Sequence, residues 1–250
     1  MRLGITDAVK HLIIINVVMF IGTLSIGNGQ LFYDWFALYF PKNEMFQPWQ
    51  VITHMFMHGN GMHILFNMFA LWMFGTPVEQ RLGTKKFLFI YFSAGFGAML
   101  FQLGYYYFNY LPIESSLIES GLSSSSITQM LAENKIMSGV TPSQVSQLQE
   151  MADSFYASMV GASGCIMGVL AAFGMMNPNA KLMLIFLPIP IKAKYFIPGI
   201  IILDIISAFT DKSFFSPSNT AYMAHVGGAV IGFIIMWFWR KNSMDRYRWD

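Results

Sequence analysis

The sequence predicts an all-α membrane protein, a bundle of six transmembrane helices with both termini cytoplasmic. Three observations carry that expectation. Hydrophobic residues make up 55% of the 250 residues and charged residues 11%, against about 25% charged in an average soluble domain. The apolar residues gather in runs that suit membrane spans. Threading those runs alternately from an inside N-terminus also sorts the basic residues to one side. Inside segments hold Arg2, Lys10, Arg81, Lys85, Lys86, Lys181, Lys192, Lys194, Arg240, Lys241, Arg246 and Arg248, and outside segments hold Lys42, Lys135 and Lys212, 12 against 3. That asymmetry is the positive-inside rule.

Composition excludes other classes. A net charge of +2 with no basic tract gives no footing for nucleic acid. Cys165 is the only cysteine, which excludes an intrachain disulfide and a cysteine metal cluster.

Taken in order, the expected spans are 8–26, 58–75, 86–107, 161–176, 196–209 and 221–239, within one membrane domain covering 1–250. The first run resembles a signal peptide in its basic flank and in Ser25-Ile26-Gly27, but the further spans favour an uncleaved helix. Between it and the second run, Phe32, Trp35, Tyr39, Phe46 and Trp49 mix with Asp34, Lys42 and Glu44, which suits the membrane–water interface. Val51 to Gly75, which contains the second run, carries His54, His58, His63 and Asn67, and polar groups at that density inside an apolar segment are costly. Gln102 in the third run reads as an interhelical hydrogen-bond donor.

Residues 109–159 form a long outer loop. Ser123 to Ser126 reads as irregular, and Thr141-Pro142-Ser143-Gln144 as a capping box with Pro at the first helical position. Val145, Leu148, Met151, Phe155 and Met159 follow at helical spacing, so their stripe is expected to rest on the membrane or the bundle. The fourth run is short, about 16 residues or roughly 24 Å, against a hydrocarbon core of ~30 Å. Lys181 to Lys194 reads as a Pro-interrupted connection, and Asp211 to Thr220, with Pro217, as a turn region. Asp204 lies inside the fifth run with no basic partner nearby in sequence and no role that sequence assigns.

The chemistry centres on Gly161-Ala162-Ser163-Gly164. A Ser in the first turn of a helix sits beside free N–H groups and the positive end of the helix dipole, which favours an oxyanion. Small residues in membrane helices more often serve close packing, so Ser163 needs a base. The sixth run offers Ala224-His225-Val226-Gly227-Gly228. Gly164 and Gly168 form a small-xxx-small pair, as do Gly228 and Gly232, and two such faces let helix backbones approach. Close approach is what a Ser163–His225 hydrogen bond requires. No Asp or Glu stands next to His225, so the expectation is a dyad. His63 and Asn67, i and i+4 on one helix face, are expected to supply oxyanion donors with the Ser163 N–H. His54 and His58 are expected to satisfy each other and backbone carbonyls.

Together, His58-Gly59-Asn60-Gly61-Met62-His63-Ile64-Leu65-Phe66-Asn67, Glu79-Gln80-Arg81-Leu82-Gly83, Gly161-Ala162-Ser163-Gly164 and Ala224-His225-Val226-Gly227-Gly228 resemble the rhomboid intramembrane serine proteases across all six spans. The resemblance implies a six-helix rhomboid bundle that cleaves single-span membrane proteins within or next to their transmembrane helix. It implies no cofactor and no metal. Ser163 would be the nucleophile and His225 the base, with His63 and Asn67 at the oxyanion. His58, Met167, Gly161, Gly164 and Gly228 would support the site. Glu79 and Arg81 would brace the cytoplasmic end of the second span, and the fifth span would be a substrate gate. Partners would be a transmembrane substrate and the bilayer, and the location a bacterial inner membrane. The chain departs from the family's pattern at Trp49-Gln50, where Trp-Arg is frequent, at Met167, where an aromatic often stacks on the His, and in its long loop.

The rival reading is a non-catalytic relative that binds membrane proteins, but it predicts loss of Ser163 or His225. A transporter would show an internal repeat. A zinc protease would show His-Glu-x-x-His, where this chain has His54-Met55-Phe56-Met57-His58. An aspartyl intramembrane protease needs two membrane Asp residues. Cys165 is two residues on from Ser163, roughly 200° around a helix.

Overall fold

The computed structural model describes residues 4–184, 187–210, 212–214 and 220–245. Arg2, Asp211, Pro217, Arg246 and Arg248 lie outside the described residues. The helices in chain order are α1 (Asp7–Ser25), α2 (Gln30–Phe36), α3 (Gln50–Thr53), α4 (Gly61–Ala70), α5 (Thr76–Leu82), α6 (Thr84–Glu119), α7 (Ser124–Glu133), α8 (Pro142–Phe155), α9 (Ser163–Met176), α10 (Ala193–Thr210) and α11 (Tyr222–Asp245). Four described stretches are long and apolar enough to cross a membrane: Asp7–Ser25, Thr84–Glu119, Ala193–Thr210 and Tyr222–Lys241. Helix α9 is apolar but has 14 residues. Helix α4 continues through a π-helical turn, Leu71–Gly75, before α5.

The second apolar helix begins at Gly61, three residues later than expected, because Asn60 caps it. The Asn60 side chain accepts the His63 N–H at 2.8 Å. His54 therefore lies in a 3₁₀ turn (His54–Phe56) and His58 in the coil before α4, so the two share no helix face.

Helix α6 runs far past the expected end at Tyr107. Its 36 residues extend ~54 Å, well beyond a ~30 Å core. Pro112 sits within it without ending it. The serine run, expected as a loop, instead starts a helix. Ser123 is the N-cap of α7 and accepts the Ser126 N–H at 3.1 Å. The capping box at Thr141 forms as expected, with Pro142 in the first turn of α8. Leu148, Met151 and Phe155 of α8 bury against Tyr110 and Leu117 of α6 and Ile127 of α7, a cluster separate from the bundle core. Lys42 reaches across to Glu114 of α6, with Nζ–Oε1 at 2.7 Å.

Two short antiparallel pairs complete the fold. Strand β1 (Leu38–Tyr39) pairs with β2 (Ser158–Met159) and ties the first loop to the segment that leads into α9. Strands β3 (Lys181–Leu184) and β4 (Leu187–Lys192) form a hairpin where a plain connection was expected. The alternation of Pro188 and Pro190 with Leu187, Ile189 and Ile191 suits a short edge pair.

Helices α6, α9 and α11 pack together by removing side chains. A Cβ on Gly164 would meet the Ala98 Cβ of α6, and one on Gly168 the Ala94 Cβ. A Cβ on Gly228 would meet the Gly164 carbonyl oxygen, and one on Gly232 the Gly168 carbonyl oxygen. The first turn of α11 gains a partner from α6: the Gln102 side-chain oxygen accepts the Ala224 N–H at 3.1 Å. Gln102 thus bridges helices as expected, but this bond uses it as the acceptor.

Candidate active site

Four elements meet at the start of α9. Gly161 has φ +130°, a conformation open to glycine. Its N–H donates to the His54 carbonyl at 2.9 Å, which fixes the turn before the helix. A Cβ on Gly161 would lie 2.9 Å from His63 Nε2, so glycine is also what lets the His63 ring approach. Ser163 is the first residue of α9. Its Oγ and His225 Nε2 are 3.0 Å apart. The glycine faces of α9 and α11 bring these two short side chains within reach, as expected.

His63 and Asn67 lie one turn apart on α4. Asn67 is buried, and its Nδ2 has no hydrogen-bond partner among the described residues. A buried amide donor without a partner is costly unless a visiting acceptor uses it. His58 is fully buried with its ring 5.0 Å from that of His63, edge to face. His54 and His58 do not satisfy each other as expected, and only His54 meets a carbonyl. His54 Nδ1 lies 2.6 Å from the Gln50 carbonyl, while neither ring nitrogen of His58 has a partner among the described residues. With no shared helix, His58 turns to His63 instead. Met167, one turn on from Ser163, is buried in the bundle core. Cys165 is buried on another side of α9, next to Gly95.

The sequence beside His225 holds no carboxylate, yet the fold supplies one. Asp204 of α10 places Oδ2 2.9 Å from His225 Nδ1. The two residues are 21 apart in the chain, and nothing in their spacing announces the contact. The signal was the presence of an Asp in an apolar run, since a buried carboxylate requires a partner.

At the other end of the bundle, Glu79 accepts the Ala8 and Val9 amides at 3.2 and 3.1 Å. These are orphan donors of the first turn of α1. Glu79 also accepts the Thr84 hydroxyl at 2.7 Å. Arg81 donates to the Met176 carbonyl at 3.2 Å, closing the C-terminus of α9.

A bundle of apolar helices thus brings a helix-terminal Ser against a His from a neighbouring helix. The Rhomboid domain profile matches residues 45–242, and the chain belongs to the rhomboid family, an integral membrane family. Curated relatives agree. The chain is similar to Rhomboid protease GlpG of Salmonella choleraesuis (strain SC-B67), 37% identical over 82 residues, which is 33% of this chain and 30% of that protein. It is also similar to Rhomboid protease GlpG of Salmonella paratyphi A (strain ATCC 9150 / SARB42), 42% identical over 74 residues, 30% of this chain and 26% of that protein. The matched stretch thus spans less than a third of these relatives' length.

Proposed function

We propose that this chain is a serine endopeptidase that cleaves single-span membrane proteins within or beside their transmembrane helix. The observation that carries the reading is the 3.0 Å Ser163 Oγ–His225 Nε2 contact at the N-terminus of α9. Ser163 attacks the scissile carbonyl, and His225 Nε2 takes the hydroxyl proton and passes it to the leaving amine. The Ser163 N–H, His63 and the free Asn67 Nδ2 hold the oxyanion. Water then attacks the acyl-enzyme, with His225 acting as base again, and releases the second product. Gly161, Gly164 and Gly228 shape the approach of the helices, while His58 and Met167 wall the site. A substrate helix has to unwind first, because its carbonyls are hydrogen-bonded within the helix.

The same reading takes the chain as six spans with both termini cytoplasmic, as the distribution of basic residues favours. Residues 61–75 and 163–176 then serve as the two short spans, and residues 1–250 form one membrane domain. Its relatives favour a bacterial inner membrane.

The test is cleavage of a single-span reporter by reconstituted protein. Wild type is expected to cleave, and Ser163→Ala and His225→Ala to lose ~10⁴-fold or more in rate. Cleavage persisting in both variants would sink the assignment. A folded wild type that binds the reporter without cutting it would point to the non-catalytic alternative.

A further inference from the structure

The intramembrane Asp204 has no place in a two-residue mechanism, yet the structure puts it against the base. Its carboxylate is 1% exposed and the His225 ring 12% exposed, with Oδ2 and Nδ1 2.9 Å apart. On its other nitrogen the same ring reaches Ser163 Oγ at 3.0 Å. The three side chains come from three helices, α10, α11 and α9. They form a line from carboxylate to imidazole to hydroxyl.

We propose that Asp204 is the positioning residue for His225, so that this chain works with a Ser163–His225–Asp204 relay rather than with the Ser and His alone. The proposal rests on the serine-protease reading. Its physical basis is the tautomer. A neutral imidazole carries one proton, and either nitrogen can hold it. The carboxylate is acceptor-only when ionised, so it draws that proton to Nδ1. Nε2 is then left with its lone pair directed at Ser163 Oγ, the form a general base needs. When His225 takes the Ser163 proton, the ring becomes cationic in a low-dielectric setting, and Asp204 stabilises that charge at contact distance. Asp204 does not take the proton itself and touches no substrate atom.

The pairing also explains how Asp204 is tolerated in α10. A carboxylate inside a membrane helix is costly unless it meets a cation or a strong donor. The His225 Nδ1–H is such a donor, and α10 holds Asp204 fully buried where it meets that donor.

Three measurements test the proposal. In ¹⁵N-histidine-labelled wild type in micelles, His225 is expected as the Nδ1–H tautomer, and an Nε2–H tautomer overturns the proposal without any variant. With reconstituted protein and the single-span reporter, Asp204→Asn is expected to lower kcat between about tenfold and about 10⁴-fold with KM within about twofold of wild type. Labelling of Ser163 by a fluorophosphonate should slow in parallel, and Asp204→Glu should restore part of both rates. Asp204→Asn that folds, cleaves and labels within about twofold of wild type overturns the proposal. Wild type that neither cleaves nor labels fails the protease reading itself, and the proposal with it. Active wild type with an indifferent Asp204→Asn fails the proposal alone, so the two failures are told apart.

Discussion

Where α9 meets α11, Gly164 faces Gly228 and Gly168 faces Gly232, and a Cβ on either α11 residue would collide with the α9 backbone. Where α8 meets the far end of α6, the filling is done by Phe155, Met151, Leu148 and Tyr110, all within 2% of full burial. Phe40 adds its ring from the first loop, 5.1 Å from that of Tyr110. The contrast follows from the solvent each region displaces. Lipid tails are as apolar as Leu, so helices in a bilayer gain little by burying large apolar groups. They gain by close backbone approach, and small residues permit it. The extension of α6 projects beyond the length of a bilayer core. Its companions α7 and α8 are amphipathic and capped, as helices in water are, and the Lys42–Glu114 ion pair ties the first loop to the same extension. The first packing mode also brings the short side chains of Ser163 and His225 within a hydrogen bond, and a core of large side chains would hold them apart.

Adding volume to the glycine seam is the strongest way to break this contrast. Gly228→Val would drive a branched side chain into the Gly164 carbonyl. Overpacking costs about 1–3 kcal/mol, occasionally more, and here the obstacle is backbone that cannot rotate away. The variant is expected to lose thermal stability in detergent by ~3 kcal/mol or more and to lose fluorophosphonate labelling of Ser163. Retention of both would mean that the seam is not what aligns Ser163 with His225.

The converse change belongs in the extension of α6. Phe155→Ala removes a ring that is 1% exposed, at a cost of about 3–5 kcal/mol to the cluster it fills. Hydrogen exchange should quicken across α7 and α8 while α9 and α11 stay protected, because the two cores are separate. Ser163 labelling should change little. Loss of protection in α9 would show that the cluster and the bundle form one cooperative unit, with the β1–β2 pair as the obvious link.

The two regions also differed in how far the sequence disclosed them. The Ser163 turn, the His225 helix and the α4 face of His63 and Asn67 were legible because each depends on local spacing: a glycine turn, an i, i+4 pair and a small-xxx-small face. The Thr141 capping box was legible for the same reason. The Ser123 cap was missed because a serine run reads equally as a loop, and only burial of Ile127 and Leu131 decides for a helix. The length of α6 was missed because the polar, Pro-bearing stretch after Tyr107 is helical by virtue of what packs on it. The β3–β4 hairpin is short, and its prolines hid it. Asp204 was visible as an anomaly, but its partner was not. A contact between two helices depends on their rotation about their own axes, which hydropathy does not encode.

The smallest expected effect lies at the other end of the bundle and tests whether polar bracing there acts apart from the chemistry. Burial of Glu79 disfavours its charge. The Ala8 and Val9 amides and the Thr84 hydroxyl outweigh that, so its carboxyl is held below the usual carboxylate range. A carboxyl whose value is lower folded than unfolded contributes stability that is present above the unfolded value. That stability is lost as pH falls through the folded one. Glu79→Gln keeps one acceptor oxygen but loses the charge, and is expected to cost ~1–3 kcal/mol near neutral pH. The gap in melting temperature between wild type and variant should narrow as the medium is acidified through and below the carboxylate range, where wild-type Glu79 becomes neutral as well. Ser163 labelling at neutral pH should stay near wild type, because Glu79 holds the start of α1 and α6, whereas the Ser163–His225 pair hangs on α9 and α11. A gap that stays constant with pH would mean that Glu79 stabilises the fold by shape alone. A loss of labelling would mean that bracing at one end of the bundle sets the geometry at the other.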